Sequence, residues 1–331
     1  MFPPSGSIPY LIAEIGLNHN GNLELAKKMV DAARTSGAHA AKFQLYTSHS
    51  FIHPAARLGE GSLQEFFQTF ELEPREWQDL AAYTRSAGLD FFCSIFDEPS
   101  IAIYAGLSPC CIKIASCDLT NRPLIEKAAR AMPGLPFLTA TGCANQLEVD
   151  DFASWFSKHI KSPLTILECV SSYPADPRDY NLALLSMWKE RYGVQTGISD
   201  HTPGCGVAVA AAVLGAVAIE KHFTLDHELP GPDHKISMNP AQFRQMHEEI
   251  GRALSALGGG DKQWHQSEEG PRKFGRRAAY AARDLKAGET LREDSLLFLR
   301  PGGGPGPEIS WAGKTLRKDV SKLEMVSEDA V

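Results

Sequence analysis

The stretch TGISDHT, Thr196–Thr202, begins as a short apolar run and ends with an acid beside a histidine. About one strand and one helix later the chain repeats this arrangement in AIEKHFT, Ala218–Thr224. Near-continuous apolar runs of this length are typical of parallel strands that helices cover on the outside. The two stretches therefore predict neighbouring β-strands, each ending in a carboxylate and an imidazole.

The same alternation of an apolar run and a helical pattern extends over residues 10–257. Asn22 and Gly37 bracket the first predicted helix, and Pro74 and Gly88 bracket the second, as capping preferences require. About eight such units are present, which predicts an α/β fold of the (β/α)8 TIM-barrel type. A doubly wound open sheet is the alternative, and it is less favoured because no GxGxxG sequence follows the first strand.

The predicted strands are apolar runs of similar length. They are Tyr10–Gly16, Ala40–Tyr46, Leu89–Phe96, Cys111–Ser116, Pro136–Gly142, Leu164–Val170, Val194–Ser199 and a last run that ends at His222. Residues 1–257 are thus predicted to form the barrel, and residues 258–275 are predicted to be a linker. Residues 276–331 contain turn signals such as LKAGET and a Gly/Pro loop after Arg300, so we expect a small β-rich domain there.

Composition excludes several classes of protein. The chain has 331 residues, of which 43% are hydrophobic and 22% are charged, with a net charge of −7. This balance argues against nucleic-acid and membrane partners, which need a basic surface, but it permits a small anionic substrate. The N-terminal stretch lacks a signal-peptide pattern, and no apolar run approaches the ~20 residues of a membrane span. We expect a cytoplasmic protein.

The seven cysteines are an odd number without metal-type CxxC spacing. Several fall inside the predicted strands, for example Cys93 and Cys169. This usage is typical of reduced cysteines in a protein core and in a reducing compartment.

Polar residues at the carboxyl ends of the predicted strands are the candidate site, because barrel chemistry occurs at that end. Lys42 and Lys113 fall within strands, where a buried lysine is costly unless its charge meets an anion. Together with serines at other strand ends they predict a cradle for a phosphate or carboxylate group. The alternative is that each lysine pairs with a buried acid such as Glu14 or Glu220.

His201 and His222 end adjacent strands in barrel order. Because neighbouring strands lie ~4.8 Å apart, both imidazoles can reach one divalent metal. Two hydrogen-bonded core histidines are the alternative. The following loop, ELPGPDHKISMNP, carries Asp233 and is a candidate lid or substrate contact, or else a surface turn.

Several motifs in series resemble the sialic acid synthase family, which includes N-acetylneuraminate, legionaminate and pseudaminate synthases and spore-coat polysaccharide proteins. The C-terminal stretch with DLKAGETL and LRPGGG resembles the antifreeze-like (SAF) domain of that family. The resemblance extends over roughly residues 10–331. Its motifs are AEIGLNHNGNLELAKKMVDAA, KFQ, KIAS, SSYPADPRDYNL, GISDHT, IEKHFT and GPDHKISMNP.

The resemblance implies a TIM barrel followed by a β-clip-like SAF domain. It implies a carbon–carbon bond-forming transferase that condenses phosphoenolpyruvate with an N-acylated amino sugar. The acceptor is N-acetylmannosamine or a related diacetamido hexose, and the products are a nine-carbon 2-keto-3-deoxy sugar acid and phosphate. It further implies a divalent metal, typically Mn²⁺ with Mg²⁺ or Co²⁺ as alternatives. The implied homodimer is domain-swapped, with the SAF domain of one subunit covering the barrel mouth of the other.

Family roles carry over to matching positions of this chain. His201 and His222 match metal ligands, Glu14 and Glu220 match carboxylates near the metal and sugar, and Arg300 matches the SAF arginine that reaches the partner's sugar site. The positions that match the phosphoenolpyruvate site are Lys42, Ser94, Lys113, Ser116 and Ser199. The positions expected around the sugar and the reacting centre are Gln44, Ser171, Tyr173 and Asp233. Loops Asn18–Asn20 and Ser171–Tyr173 are expected to contact the groups that distinguish the possible sugars.

Two stretches depart from the family pattern. Ala140-Thr141-Gly142 stands where Ser-Thr-Gly is common, so one phosphate hydroxyl is missing unless Thr139 or Thr141 compensates. Cys93-Ser94-Ile95-Phe96 replaces Ser-Thr-Pro-Phe and loses a proline.

Three other functions stay open from the sequence. The chain could be a barrel synthase or aldolase that acts on another sugar. It could be a non-catalytic sugar-acid binding protein, or its SAF-like domain could be an ice-binding module.

Overall fold

The computed structural model describes residues 7–331, which form two compact units, one through Gly258 and one from Gly259 to Val331. The first unit is a closed barrel of eight parallel strands, so the predicted TIM barrel is confirmed and the open sheet is excluded. Consecutive strands pair, and the last strand pairs with the first. The strands are β1 Tyr10–Gly16, β2 Ala40–Leu45, β3 Asp90–Ile95, β4 Ile112–Ile114, β5 Phe137–Ala140, β6 Leu164–Cys169, β7 Gln195–Asp200 and β8 Ala218–His222.

One main helix follows each strand and covers the outside of the barrel. These helices are α1 Leu23–Thr35, α2 Pro74–Ser86, α3 Glu98–Ala105, α4 Arg122–Ala131, α5 Gln146–His159, α6 Leu184–Tyr192, α7 Gly206–Val213 and α8 Pro240–Ala256. The connection from β2 to α2 also contains two short helices, Ser48–Phe51 and Leu63–Gln68, and a hairpin that pairs residues 57–58 with 61–62.

Asparagine caps begin four of these helices at the positions that the sequence indicates. Asn22 Oδ1 accepts a hydrogen bond from the backbone N–H of Leu25 at 2.9 Å. Asn121, Asn145 and Asn239 cap α4, α5 and α8 in the same way. Such a cap contributes about 1 kcal/mol, and it fixes the residue at which each loop above the barrel ends.

Strand alternation separates the interior of the barrel from the layer under the helices. Glu14 and Lys42 are register partners on β1 and β2, and both face the interior. Residues two positions earlier share that face, so the fully buried Ile12 lies below Glu14. On the opposite face, Phe137 of β5 packs edge-on against Phe156 of α5. Burial of such a side chain contributes about 1.5–3 kcal/mol.

The second unit contains a two-stranded antiparallel sheet, β9 Ala278–Ala281 with β10 Leu296–Leu299. Isolated bridges join Tyr280 to Met325 and Leu285 to Val320. Its core is a separate apolar cluster that includes Trp311. The stretch predicted as a linker is partly helical, since a short helix spans Glu269–Gly275. That helix belongs to the second unit, which begins at Gly259. The glycine-rich stretch that begins the predicted linker therefore marks where the first unit ends, but it does not show where the second unit begins.

The cysteines differ from the sequence expectation in two places. All seven are free, and Cys93, Cys111 and Cys169 are buried, but Cys117 and Cys143 are exposed. These two follow β4 and β5 and therefore lie on loops at the carboxyl end of the barrel, outside the core. Among residues 7–331, no helix is long and apolar enough to cross a membrane.

The loop after β1 holds a buried histidine. His19 has no exposed surface, and its ring packs against Phe43 and Trp77 with centroids 6.1 Å away. Its Nδ1 accepts a hydrogen bond from the backbone N–H of Gly21 at 3.2 Å. Burial lowers the pKa of His19 to about 4, so the ring is neutral in the folded protein.

The buried ring predicts a loss of stability in acid. The unfolded chain binds this proton near pH 6.5 and the folded one only near pH 4, so stability present above pH 6.5 is lost as the pH falls towards 4. We expect His19 to lower the free energy of unfolding by about 3 kcal/mol across that interval. Urea unfolding at several pH values measures it. His19→Asn should flatten the dependence, whereas His49→Asn, at an exposed histidine, should leave it unchanged. Equal slopes for wild type and His19→Asn would show that the ring does not drive it.

Candidate active site

The carboxyl ends of the eight strands surround a cavity of about 320 Å³. Loops after the strands form its upper wall, and the apolar interior of the barrel forms its floor. Most of the predicted site residues lie in this wall. They are Glu14, Lys42, Gln44, Ser94, Lys113, Ser116, Ser171, Tyr173, Ser199, His201, Glu220 and His222.

Two predicted residues lie outside the cavity wall. Asp233 follows β8, and its Oδ2 lies 3.8 Å from Nδ1 of His222, so it is adjacent to the cavity. Arg300 belongs to the second unit, where it is exposed directly after β10.

Two lysines and two glutamates form a buried network across the cavity. Lys42 Nζ lies 2.7 Å from Glu14 Oε2 and 3.6 Å from Glu220 Oε1. Lys113 Nζ lies 3.6 Å from the same Glu220 oxygen. Lys42, Lys113 and Glu14 are each only 2% exposed. Each lysine therefore has a buried acidic partner, which was the alternative to an anion-binding role. The partner of Lys42 lies at 2.7 Å, whereas that of Lys113 lies at 3.6 Å.

The network divides the four charges unevenly. Burial lowers the pKa of Lys42, but Glu14 and Glu220 outweigh this and hold its pKa above the usual value. Burial also lowers the pKa of Lys113, which Glu220 offsets only in part, so that pKa stays below the usual value. Burial raises the pKa of Glu14 despite Lys42. Lys113 is thus the cation with the weaker internal compensation and the better candidate to gain an anionic ligand.

Serine hydroxyls complete the polar wall. Ser94 Oγ accepts a hydrogen bond from Lys42 at 3.1 Å, and Ser199 Oγ donates to Glu220 at 2.9 Å. Ser116 Oγ accepts from the backbone N–H of Gly142 at 3.0 Å. A Cβ at Gly142 would lie 2.8 Å from Ser116 Oγ and 2.1 Å from the Oγ of a second serine, Ser171. Only glycine fits between these two hydroxyls.

The departure at the end of β5 removes a hydroxyl from the cavity. Ala140 lines the cavity, so Thr139 and Thr141 face the other side of the strand. Thr141 Oγ1 donates to the carbonyl oxygen of Leu167 at 3.0 Å. Neither threonine lines the cavity, and neither compensates for the missing serine.

The two histidines lie side by side, with ring centroids 5.3 Å apart. Nδ1 of His201 lies 2.7 Å from the carbonyl oxygen of Val170, so Nδ1 carries the proton and Nε2 keeps a lone pair. Burial lowers the pKa of both rings, and His222 Nδ1 has no hydrogen-bond partner among the described residues. Two neutral imidazoles with available lone pairs fit a divalent transition metal.

A third protein ligand is not in place. Within residues 7–331, no group of three or more His, Cys, Asp or Glu side chains has the arrangement to hold a metal. The donor set therefore consists of two nitrogens, and the remaining positions of a metal would fall to water or substrate oxygens.

Tyr173 and Tyr180 connect the loop after β6 to the histidines. The ring of Tyr173 lies 4.3 Å from that of His201, centroid to centroid, and is about half exposed. The hydroxyl of Tyr180 donates to the carbonyl oxygen of Ser199 at 2.9 Å and accepts from the N–H of His201 at 3.0 Å. Sequence reasoning missed Tyr180, because its partners are backbone atoms that no motif reveals.

Asp200 does not orient His201, although it precedes it. Its Oδ1 accepts hydrogen bonds from the N–H and hydroxyl of Thr202 at 2.8 and 2.7 Å, and its Oδ2 lies 2.9 Å from Lys221 Nζ. Alternation places Asp200 and Lys221 on the outer faces of β7 and β8. The two acids at these strand ends therefore differ in role. Asp200 caps the following turn and pairs with Lys221, whereas Glu220 pairs with the lysines of the cavity. The carbonyl of Val170 orients His201.

The loops after β1 and β8 hold each other in place. Asn18 is fully buried, and its Nδ2 donates to the carbonyl oxygen of Phe223 and to Ser237 Oγ, both at 2.9 Å. His234 is also fully buried and lies 2.7 Å from Thr224 Oγ1. Asn18 and His19 therefore support the loops around the site and do not line the cavity. The loop after β8, predicted as a lid or substrate contact, is held in place by these hydrogen bonds.

The comparisons with known proteins agree over nearly the whole chain. The model of the NeuB family matches residues 29–262. An N,N'-diacetyllegionaminic acid synthase of Legionella pneumophila is 35% identical, with 91% of this chain and 88% of that protein covered. A pseudaminic acid synthase of Helicobacter pylori is 34% identical, with 91% of each covered.

A solved structure shares the fold. The crystal structure of the N-acetylneuraminic acid synthetase from Leptospira borgpetersenii superposes with a TM-score of 0.71 at 34% identity, covering 80% of this chain and 90% of that one. The region matched by the family model, residues 29–262, includes every barrel strand from β2 to β8. By sequence and by fold, this chain belongs to the NeuB family.

Proposed function

We propose that this chain condenses phosphoenolpyruvate with an N-acylated amino sugar to form a sialic-acid-type nine-carbon 2-keto-3-deoxy sugar acid and phosphate. The observation that carries the proposal is the cavity in which two buried lysines face two neutral histidines. Membership of a family whose relatives are named as synthases of such acids supports it.

The anionic substrate fits the lysine side of the cavity. Phosphoenolpyruvate carries a phosphate and a carboxylate, and Lys42 and Lys113 supply charge for both, with hydrogen bonds from nearby serines. Binding of the anion gives Lys113 the partner that Glu220 provides only at 3.6 Å. The serines that we assign to this substrate are Ser94, Ser116 and Ser199. We add Ser171, which the sequence placed with the sugar, because its Oγ and that of Ser116 flank Gly142.

His201 and His222 are the proposed ligands of a divalent metal such as Mn²⁺, with Mg²⁺ or Co²⁺ as alternatives. A metal bound there supplies Lewis acidity to the carbonyl group of the acceptor. The Val170 carbonyl fixes the tautomer of His201, and Tyr180 fixes its backbone, so the protein holds the nitrogen lone pair in one direction.

The chemistry forms one carbon–carbon bond and, at C2, replaces the carbon–oxygen bond to phosphate with one to a water oxygen. C3 of phosphoenolpyruvate bonds to the aldehyde carbon C1 of the open-chain sugar, whose carbonyl oxygen takes up a proton and becomes a hydroxyl. A water oxygen adds to C2, and the water gives up a proton. The bond between C2 and the phosphate oxygen then breaks, which releases inorganic phosphate and leaves a ketone at C2. Glu14 is the better candidate for proton transfer, because burial raises its pKa, whereas the two lysines hold the pKa of Glu220 below its usual value despite burial.

The sugar is proposed to lie above the histidines, against Gln44, Tyr173 and Asp233. We also propose that the second unit acts as a SAF domain in a domain-swapped homodimer, in which Arg300 reaches the sugar site of the partner subunit. An exposed Arg300 is consistent with that role.

Phosphate release tests the reaction. Purified protein with Mn²⁺ and phosphoenolpyruvate should release phosphate only when an acceptor is added, from N-acetylmannosamine or a 2,4-diacetamido hexose. His201→Ala and His222→Ala should each abolish the metal-dependent rate, because each removes one of two nitrogen ligands. His49→Ala, at an exposed histidine, is the matched control.

Three results would contradict the proposal. Full turnover by both histidine variants in metal-stripped buffer would refute the metal site. Acceptor binding without phosphate release for any amino sugar would indicate a sugar-acid binding protein. Inactivation by borohydride in the presence of substrate would indicate a Schiff-base aldolase.

Tyr180→Phe tests whether Tyr180 positions the histidine and the serine on β7. Loss of its hydroxyl removes the hydrogen bonds to the Ser199 carbonyl and the His201 N–H. Because both side chains are then held less firmly, we expect Mn²⁺ affinity to fall about tenfold and KM for phosphoenolpyruvate to rise. Calorimetric Mn²⁺ titration measures the first effect without turnover. Tyr83→Phe removes a hydroxyl bound to Asp31 on the outer helices and should alter neither value. Unchanged Mn²⁺ affinity in Tyr180→Phe would leave that residue with a purely structural role.

A further inference from the structure

A second cavity of about 520 Å³ lies beside the reaction cavity, outside β5 and β6 and between the first turns of α5 and α6. The two cavities share three wall residues, Cys143, Cys169 and Ser171. Of the residues to which we assign a role in the reaction, only Ser171 and Val170, whose carbonyl orients His201, line the second cavity, so it is a separate space with a common partition.

Glu168 is the polar residue that this cavity leaves incompletely bonded. It faces outward from β6, because its neighbour Cys169 faces the reaction cavity. The side chain is 4% exposed. Its Oε1 accepts a hydrogen bond from the backbone N–H of Asn181 at 3.3 Å, but Oε2 has no partner among residues 7–331. A buried carboxylate oxygen without a donor is costly, and burial accordingly raises the pKa of Glu168 to about 7. An ammonium donor from a ligand would remove that cost and favour the ionised carboxylate.

The cavity wall lacks positive charge. Its ionisable carboxylates are Glu168 and Asp179, and none of its residues is Lys, Arg or His. The amide N–H groups of Gln146, which could donate to Glu168, instead donate to the hydroxyl of Tyr192 at 2.7 Å and to Asp150 Oδ1 at 3.1 Å. An anion such as phosphate or phosphoenolpyruvate would face only negative charge here, so the wall selects for a cation.

The size of the cavity selects for an organic cation. Its volume of about 520 Å³ is far larger than the roughly 10–15 Å³ of such space that one water molecule needs, and therefore far more than a bare metal ion fills. The apolar side chains of Val149, Leu184 and Trp188 line part of the wall and can contact a carbon chain. We propose that this cavity binds a small organic ammonium compound, with the ammonium group donating to Oε2 of Glu168.

An occupant of this cavity would also contact the partition to the reaction cavity. Ser171 belongs to the anion side of that cavity, so binding at Glu168 is expected to change KM for phosphoenolpyruvate more than kcat. The proposed binding does not depend on the reaction, and its test can fail while the proposed function holds.

The test uses the two exposed cysteines of the barrel as reporters. Cys143 lines both cavities, whereas Cys117 lines the reaction cavity and not the second one, so protection of Cys143 without protection of Cys117 indicates an occupant of the second cavity. The wild-type protein is labelled with iodoacetamide, an uncharged reagent, with 1,4-diaminobutane or with 1,4-butanediol at matched ionic strength. Mass spectrometry gives the rate at each thiol. The diamine should slow labelling of Cys143 several-fold and leave Cys117 unchanged, and the diol should protect neither.

Glu168→Gln then tests the carboxylate. The amide keeps an acceptor for Asn181 and similar volume, so folding should persist, which the melting temperature checks. The diamine concentration that half-protects Cys143 should rise about tenfold. Glu190→Gln, an equal change of charge at an exposed position of α6, should bind as wild type. Absence of protection in wild type, equal protection by the diol, or unchanged protection in Glu168→Gln would each overturn the proposal.

Discussion

The buried network of Lys42, Glu14, Glu220 and Lys113 is the interaction on which the site depends. Four charges, each no more than 5% exposed, line a cavity at the mouth of an apolar barrel. Each would be strongly unfavourable alone, and their mutual attraction together with hydrogen bonds from serines offsets that cost. The strands can accommodate these residues only together, because each charge needs the opposite charges of its neighbours, and all four line one cavity at the carboxyl ends of β1, β2, β4 and β8.

The same network prepares the cavity for an anion. Its positive and negative charges balance, but they are not equally paired, since Lys42 has a partner at 2.7 Å and Lys113 only one at 3.6 Å. The positive charge of Lys113 is therefore in position before an anion binds. The protein need not reorganise its charges on binding, as expected for preorganised electrostatics. The histidine pair, on β7 and β8, lines the same cavity, so the proposed anion and metal positions share it.

Much of this arrangement is readable from the sequence. Period and caps locate the strands and helices, and barrel closure brings His201 and His222 together because their strands are neighbours. Alternation shows that Ala140 faces the cavity once the strand is placed. Side-chain pairing is not readable in this way, because whether Lys42 contacts a glutamate or a ligand depends on rotamers and distances. Tyr180 was missed because it acts through backbone atoms of a strand that is adjacent only in space.

Glu168 shows a different limit. The residue is one outward position on an apolar strand, and nothing in its local sequence separates it from a solvated acid. Glu168 becomes a candidate binding residue only because two loops and two helix ends form a cavity around it. Features that several distant segments build together are the part of a site that sequence patterns convey least.

The most direct measurement of the central claim is calorimetric binding of phosphoenolpyruvate to Lys113→Met in the absence of acceptor sugar. If Lys113 is the cation that awaits an anion, its loss should weaken binding about a hundredfold, as expected for removal of one member of a buried charge pair. Lys28→Met, at an exposed lysine of α1, should bind as wild type. Unchanged affinity in Lys113→Met would contradict the account and would place the anion elsewhere in the barrel.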